Sequence, residues 1–497
     1  MKKLTAFFAL LLFTSGCMVG PKYRPPDIDV PAAYRGVVPQ EAAQPQQSPE
    51  PQAPQRAHTA SPQGSQPANN PPQQAPQSSE QSFGDQKWWE VFQDPQLQQL
   101  IRTALQQNYD LRIAAARILE ARAQLGITRA DQLPTINAGA AAVNERYPRT
   151  KPLPEYETNA YELTASLAWD LDFWGKYRSA TEAARANLLA TEWARQAVVS
   201  TLVSDVAAAY FQLRAYDLQL EISRRTLASR QESLHLTRTL SDGGVGTMLD
   251  VRQAEQLVFT AAARIPDLER RIQQQKTFLS TLLGNNPGPI ARGMKLTEQP
   301  HLPEVPPGIP SRLLERRPDI RATEAQLIAA NAQIGVARAA YFPQITLTAT
   351  SGFQSAALTS LFTGPAGLWS FGGALAQTIF AGGRIRSGVK LAEARQQELL
   401  LSYRQTIQQA FRGVSDALVE YQKDREFREQ QQQLALSAQE AAQLSEKRYQ
   451  GGAASYLEVL TNETNYFAAE LDLAQAQLNE LLGLVRIYRN LGGGWQQ

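Results

Sequence analysis

Residues Asn108–Ile136 read NYDLRIAAARILEARAQLGITRADQLPTI, and 209 positions later residues Arg317–Ile345 read RPDIRATEAQLIAANAQIGVARAAYFPQI. Eleven of the 29 aligned positions are identical, and both stretches close on a proline, Pro134 or Pro343. Two alanine-rich helices that are similar by chance would not also share the residue at which they end. The sequence therefore predicts an internal duplication.

Each half predicts the same order of elements. A helix of about thirty residues ends at the proline, about forty residues rich in Gly, Thr, Ser and aromatics follow, and then comes a very long helix, 176–242 or 384–450. Each long segment has 67 residues, or roughly 100 Å of helix, a length that indicates packing side by side as in a coiled coil. A glycine-rich turn leads to a returning helix, 249–283 or 456–490, and Pro266 predicts a kink or a break in the first of these.

Strands are predicted in the middle stretch of each half. In Leu163–Phe173 apolar and polar residues alternate, and Ile345–Thr350 repeats the pattern; Ile136–Asn144 and Trp369–Phe380 are two further candidates. The alternation fits a membrane strand with lipid on one side, and it equally fits a half-buried strand of a soluble sheet. Four strands are too few to close a barrel, so they form a small capping sheet or several chains pool their strands. The sequence of residues 1–17, which is typical of a lipoprotein signal, favours pooling.

The N-terminus predicts a secretory signal over residues 1–16. Lys2 and Lys3 precede a short apolar run and small residues, and the only cysteine, Cys17, follows at once, as at a lipoprotein cleavage site. An ordinary signal with a stray cysteine is the alternative. Residues 17–38 predict a lipidated, extended segment. Half of residues 39–82 are Pro or Gln, which predicts a disordered linker or, alternatively, a docking ligand.

Composition excludes several classes of protein. The chain has 497 residues and a net charge of only +2, which argues against a nucleic-acid partner. With one cysteine and three widely separated histidines, a metal centre is not expected. No phosphate-binding loop, dinucleotide fingerprint or catalytic triad is present in the sequence. We therefore expect a protein that is not an enzyme and has no catalytic residue.

Six motifs between Cys17 and Trp495 together are typical of one protein family. They are VGPKYRPP after Cys17, WWEVFQDPQLQQLI, ARAQLGITRADQLP, WDLDFWGKYR, IFAGGRIR and the closing LGGGW. With these motifs the sequence resembles the TolC-type outer-membrane efflux proteins, in particular the lipoprotein branch that works with RND pumps.

The resemblance implies an α+β membrane protein that assembles as a homotrimer. Three chains would pool four strands each into a twelve-stranded outer-membrane β-barrel, continued by a long periplasmic α-helical barrel with a mixed equatorial domain. In these terms residues 83–300 are the first structural repeat, 301–491 the second and 492–497 a tail. The only bound group implied is a covalent lipid on Cys17, with no cofactor and no metal.

The function implied is that of a passive conduit lodged in the outer membrane and anchored in its lipid. A periplasmic adaptor protein would dock on the lower end of the tunnel, and an inner-membrane RND-type or related pump would deliver drugs or other small toxic compounds to it. Two alternatives remain: the same fold serving a type I protein secretion system, and a periplasmic coiled-coil lipoprotein without a pore.

The resemblance also assigns roles to residues around the two glycine-rich turns. It places a periplasmic gate latch at Asp250, Arg448 and Tyr449. The constriction matches Leu457 and Thr461, where the family often has an aspartate at the second position, and Glu458 supplies the nearest carboxylate. The adaptor-docking tips are two groups of small or short side chains: Gly244, Val245, Gly246 and Thr247 in the first half, and Gly451, Gly452, Ala453 and Ser455 in the second.

Overall fold

A computed structural model describes residues 18–31, 33–34, 82–149, 155–300 and 305–496. The helices are α1 Trp88–Val91, α2 Pro95–Gln107, α3 Tyr109–Ala130, α4 Lys176–Asp242, α5 Met248–Leu282, α6 Pro310–Arg316, α7 Pro318–Ala339, α8 Arg384–Gln450 and α9 Tyr456–Asn490. The strands are β1 Thr135–Tyr147, β2 Tyr156–Leu171, β3 Gln344–Ser355 and β4 Gly367–Ala376. Within the described ranges, no helix has the length and apolarity needed to cross a lipid bilayer.

The duplication is visible in the lengths of the elements. Helices α3 and α7 have 22 residues each, α4 and α8 have 67 each, and α5 and α9 have 35 each. The bounds of both long helices and of α9 are those that the sequence predicts. The first helix of each half is shorter than predicted, because α3 ends four residues before Pro134 and α7 four residues before Pro343. A break at Pro266 was the wrong alternative, since α5 continues through it.

The first of two compact units contains the described residues of 18–29, 109–198 and 317–408. Its four strands form an antiparallel sheet in the order β1-β2-β3-β4, and Trp169 pairs with Leu347 across β2 and β3. Exposed apolar side chains share one face of β4: Trp369, Phe371 and Leu375. The sheet thus presents a large unpartnered apolar face with two edge strands, β1 and β4.

The N-terminal strap, residues 18–29, lies along the first unit. Asn331 on α7 donates its side-chain amide to the Pro21 carbonyl at 2.8 Å. A Cβ atom on Gly20 would come within 2.8 Å of the Cα of Gly335, so the two backbones touch only because both residues are glycine. Met18 lies against Gly175 at the turn between β2 and α4. The strap therefore fixes the residue that follows Cys17 at the junction of sheet and helix.

The second unit is built around a buried carboxylate. Asp94 is fully buried and caps α2 by accepting from the backbone N–H of Gln96 at 2.8 Å. Its second oxygen accepts from the Tyr210 hydroxyl at 2.7 Å and from the Met294 N–H at 3.0 Å. The Gln299 amide donates to it as well, at 3.2 Å. These bonds join α2, α4 and the loop after α5, and burial together with Asp94 raises the pKa of Tyr210, which keeps it a proton donor.

Candidate functional site

The turn between α4 and α5 is the first of two exposed tips. Gly244 has φ of 77°, a left-handed conformation that glycine adopts without strain, and the Gly246 N–H closes the turn on the Leu240 carbonyl at 2.9 Å. Val245 at the apex is 81% exposed. Met248 and Leu249 beside it are also exposed. An apolar knob of this kind is suited to a groove on another molecule.

The turn between α8 and α9 is its repeat counterpart. Gly452 has φ of 70°, and the Ala453 N–H donates to the Arg448 carbonyl at 2.8 Å. Ser455 precedes α9 but its side chain forms no cap, so α9 starts less firmly than α5. A Cβ atom at Gly244 or Gly452 would meet nothing within 4 Å. Both tips are therefore open surface.

The predicted latch residue Asp250 is engaged in its own helix. Its carboxylate accepts from the Thr247 N–H at 2.9 Å and from the Thr247 hydroxyl at 2.7 Å, and the Thr247 side chain accepts from the Asp250 N–H in return. This capping box fixes the start of α5. Thr247, predicted as a docking residue, therefore also holds the shape of the first tip.

The other two latch residues contact α9. The Arg448 guanidinium pairs with Glu458 at 3.2 Å and reaches the Ala453 carbonyl at 3.4 Å. Tyr449 packs edge-on against Tyr456 with ring centroids 5.3 Å apart, and burial and the charge of Asp250 raise its pKa. Within the chain, the structure thus brings Arg448 together with Glu458, a residue predicted for the constriction.

The predicted constriction residues lie on the first two turns of α9. Leu457 is 57% exposed, and the Thr461 hydroxyl donates to its carbonyl at 2.8 Å. That bond is internal to the helix. Thr461 is therefore uncharged at the position where the family often has an aspartate. Glu458 is the neighbouring acid, and Arg448 neutralises it.

The predicted lipidation site, Cys17, lies outside the described residues, as do the signal segment and nearly all of the linker. The described residue nearest to it is Met18, and the Val19 N–H donates to the Trp174 carbonyl at 3.4 Å. No group of His, Cys, Asp or Glu that could hold a metal ion occurs in the part of the chain that the structure describes.

Sequence reasoning missed a buried ion pair above the tips. Arg230 on α4 is 2% exposed and lies 3.9 Å from Glu463 on α9. The signal was present in the sequence, because Glu463 interrupts a row of apolar residues at four-residue spacing: Val459, Phe467 and Leu471.

Comparisons with known proteins agree on one family. The model of the family described as outer membrane efflux protein matches residues 100–285 and again 309–493, once in each half of the chain. The chain is 37% identical over 424 residues to the probable efflux pump outer membrane protein TtgC of Pseudomonas putida, covering 84% of this chain and 87% of that one. It is 38% identical over 417 residues to the probable outer membrane lipoprotein SilC of Salmonella typhimurium, covering 83% and 89%. The structure of the outer-membrane channel OprN superposes with a TM-score of 0.83 at 30% identity, covering 97% of this chain and all of that one.

Proposed function

The chain belongs to the outer membrane efflux protein family, and we propose that it serves as the passive, trimeric exit duct of a tripartite efflux system. It is an outer-membrane efflux channel with the α+β fold of that family, which is a channel family rather than a family of enzymes. Three copies pool their four-stranded sheets, so that the edge strands β1 and β4 each gain a partner. No cofactor is needed, and the lipid on Cys17 anchors each copy.

The observation that carries the assignment of partners is the pair of exposed tips. A periplasmic adaptor docks on both of them, at Gly244–Thr247 and at Gly451–Ser455. An inner-membrane RND-type or related pump then feeds the duct. The apolar apex of the first tip supplies the area that is removed from water on docking.

Gating follows from the contacts next to the tips. Leu457 and Thr461 narrow the lower end, and the Arg448–Glu458 pair holds the first turn of α9 against the last turn of α8. Adaptor binding favours the open form by its higher affinity for that form. The cargo is a drug or another small toxic compound. The names of two relatives from Pseudomonas putida fit this class, since one is called an antibiotic efflux pump outer membrane protein and the other a toluene efflux pump outer membrane protein.

The test is a single-channel recording with the purified full-length protein in planar bilayers, combined with its native mass. We expect a trimer that conducts in small steps while the gate is closed and in larger steps once it opens. A protein that produces no conductance in the bilayer, or that is only a monomer by native mass, would refute the duct and favour a periplasmic scaffold.

A further inference from the structure

The contact between α4 and α9, the α4–α9 seam, is apolar on either side of a charged pair. On one side Ile222 packs with Phe467 and Ala474, and on the other Leu234 packs against Val459 and Tyr456. Between them, the seam contains Arg230 and Glu463. A charged pair in the middle of an apolar helix contact lowers its stability compared with apolar side chains of the same size, so its presence calls for another role.

The guanidinium of Arg230 is held firmly by one hairpin and loosely by the other. It donates to the Leu257 carbonyl of α5 at 2.9 Å, which binds it to the hairpin of α4 and α5. Toward α9 it has a long bond of 3.4 Å to the Glu463 carbonyl, the 3.9 Å approach to the Glu463 carboxylate, and the Phe467 ring, whose centroid is 4.9 Å away. Arg230 is therefore bound more weakly to α9 than to α5.

Both charges are incompletely satisfied where they lie. The Nε of Arg230 and the Oε2 of Glu463 are buried and have no hydrogen-bond partner in the described part of the chain. If α9 moved away, each of these two atoms would gain hydrogen bonds to water. Apolar neighbours such as Val459 would instead become exposed to water, which is unfavourable. Separation of the seam is accordingly least costly at this pair.

We propose that Arg230 and Glu463 are a release point in the α4–α9 seam, at which the second hairpin parts from the first when the duct opens. The proposal rests on the gated duct proposed above and deepens it by naming the place where the helices separate. Arg230 stays with α5 through Leu257, and Glu463 leaves with α9.

The charges that face the pair support this assignment. Burial is the largest effect on both groups: it lowers the pKa of Arg230 and raises the pKa of Glu463. Arg230 acts in the opposite direction on Glu463, while Glu446 of α8 raises its pKa further, and the Tyr456 hydroxyl faces Arg230. In the closed seam, the cost of desolvation therefore exceeds the attraction between the two charges.

The experiment replaces the pair by apolar residues, Arg230→Met with Glu463→Leu, and records the open probability of the full-length protein in planar bilayers. We expect it to fall by about tenfold, because the closed seam then no longer holds desolvated charge. The matched control is Arg489→Met with Asp205→Leu, an ion pair between the same two helices whose side chains are 49% and 46% exposed. Water already reaches both of these side chains, so we expect the control to open as the wild type does.

A double variant that opens as often as the wild type, or more often, would overturn the release point and leave the duct intact. A wild type that never conducts would refute the duct itself and the release point with it. A second measurement needs no substitution: phenylglyoxal labelling of arginines in vesicles under conditions in which the recordings show openings. Arg489 should react at once and Arg230 slowly but completely, and an Arg230 that stays unmodified in a conducting channel would also overturn the proposal.

Discussion

Arg448→Ala tests whether the pair at the second tip helps to keep the duct closed. The Arg448 and Glu458 side chains are 58% and 37% exposed, so solvent screens the pair and it contributes about 0.2–1 kcal/mol per chain. If three chains open together, the contributions add to about 0.6–3 kcal/mol. That sum corresponds to an open probability about 3- to 150-fold higher in the variant.

The assay is single-channel recording at low and at high salt. We expect the difference between variant and wild type to shrink near 1 M salt, where the screening length is about 3 Å. The double-mutant cycle with Glu458→Gln should be non-additive, because both changes remove one interaction. Arg412→Ala, which removes an exposed ion pair on α8 far from the tip, is the control and should change nothing. An Arg448→Ala channel with wild-type openings at low salt would refute the reasoning.

Three further predictions follow from buried and exposed groups. Asp94→Ala leaves the donors around that carboxylate unpaired, and we expect a loss of about 3–5 kcal/mol of local stability, seen as faster hydrogen exchange of the Met294 amide; unchanged exchange would contradict the role of Asp94. Burial raises the pKa of Glu463, so the closed seam binds a proton more tightly than the open, hydrated seam does. Openings should therefore become rarer as the pH falls through that raised pKa toward 4.5. A pH profile without such a change would count against this role of Glu463. Val245→Asp should lower adaptor capture by at least about tenfold, because a charge is buried where an apolar side chain docked, while the conductance in bilayers without adaptor stays unchanged; equal capture would remove Val245 from the docking surface.

The spacing of apolar residues, together with the positions of proline and glycine, predicted most of the fold. The 67-residue helices were predictable because no proline or glycine pair interrupts them before Gly243 and Gly451. All four strands overlap the ranges predicted for them. However, β2 begins seven residues earlier than Leu163, since alternation weakens in the polar stretch Tyr156–Glu162, and β4 ends at Ala376, four residues before Phe380. Pro266 did not break α5, because the flanking turns pack on both sides of it.

The site was less predictable than the fold, because it depends on which helix faces meet. The tips follow from glycine spacing, but the partner of Arg448 is Glu458, a contact that a sequence pattern does not specify. Asp94 stands directly before Pro95 in the sequence, a pair that is typical of a helix start. Its other bonds join residues 116 and 200 positions apart in the chain, and a local pattern does not specify such contacts.

The most direct test of the account places a photo-crosslinking amino acid at Val245 in intact cells and identifies what it captures. A matched probe at Trp369, equally exposed at 81% but on the sheet, is the control. We expect the probe at Val245 to capture a periplasmic adaptor together with an RND-type pump, and the probe at Trp369 to capture neither. Capture of an ABC transporter's adaptor would assign the duct to protein secretion, and no capture at Val245 in cells that still export would contradict docking at the tips.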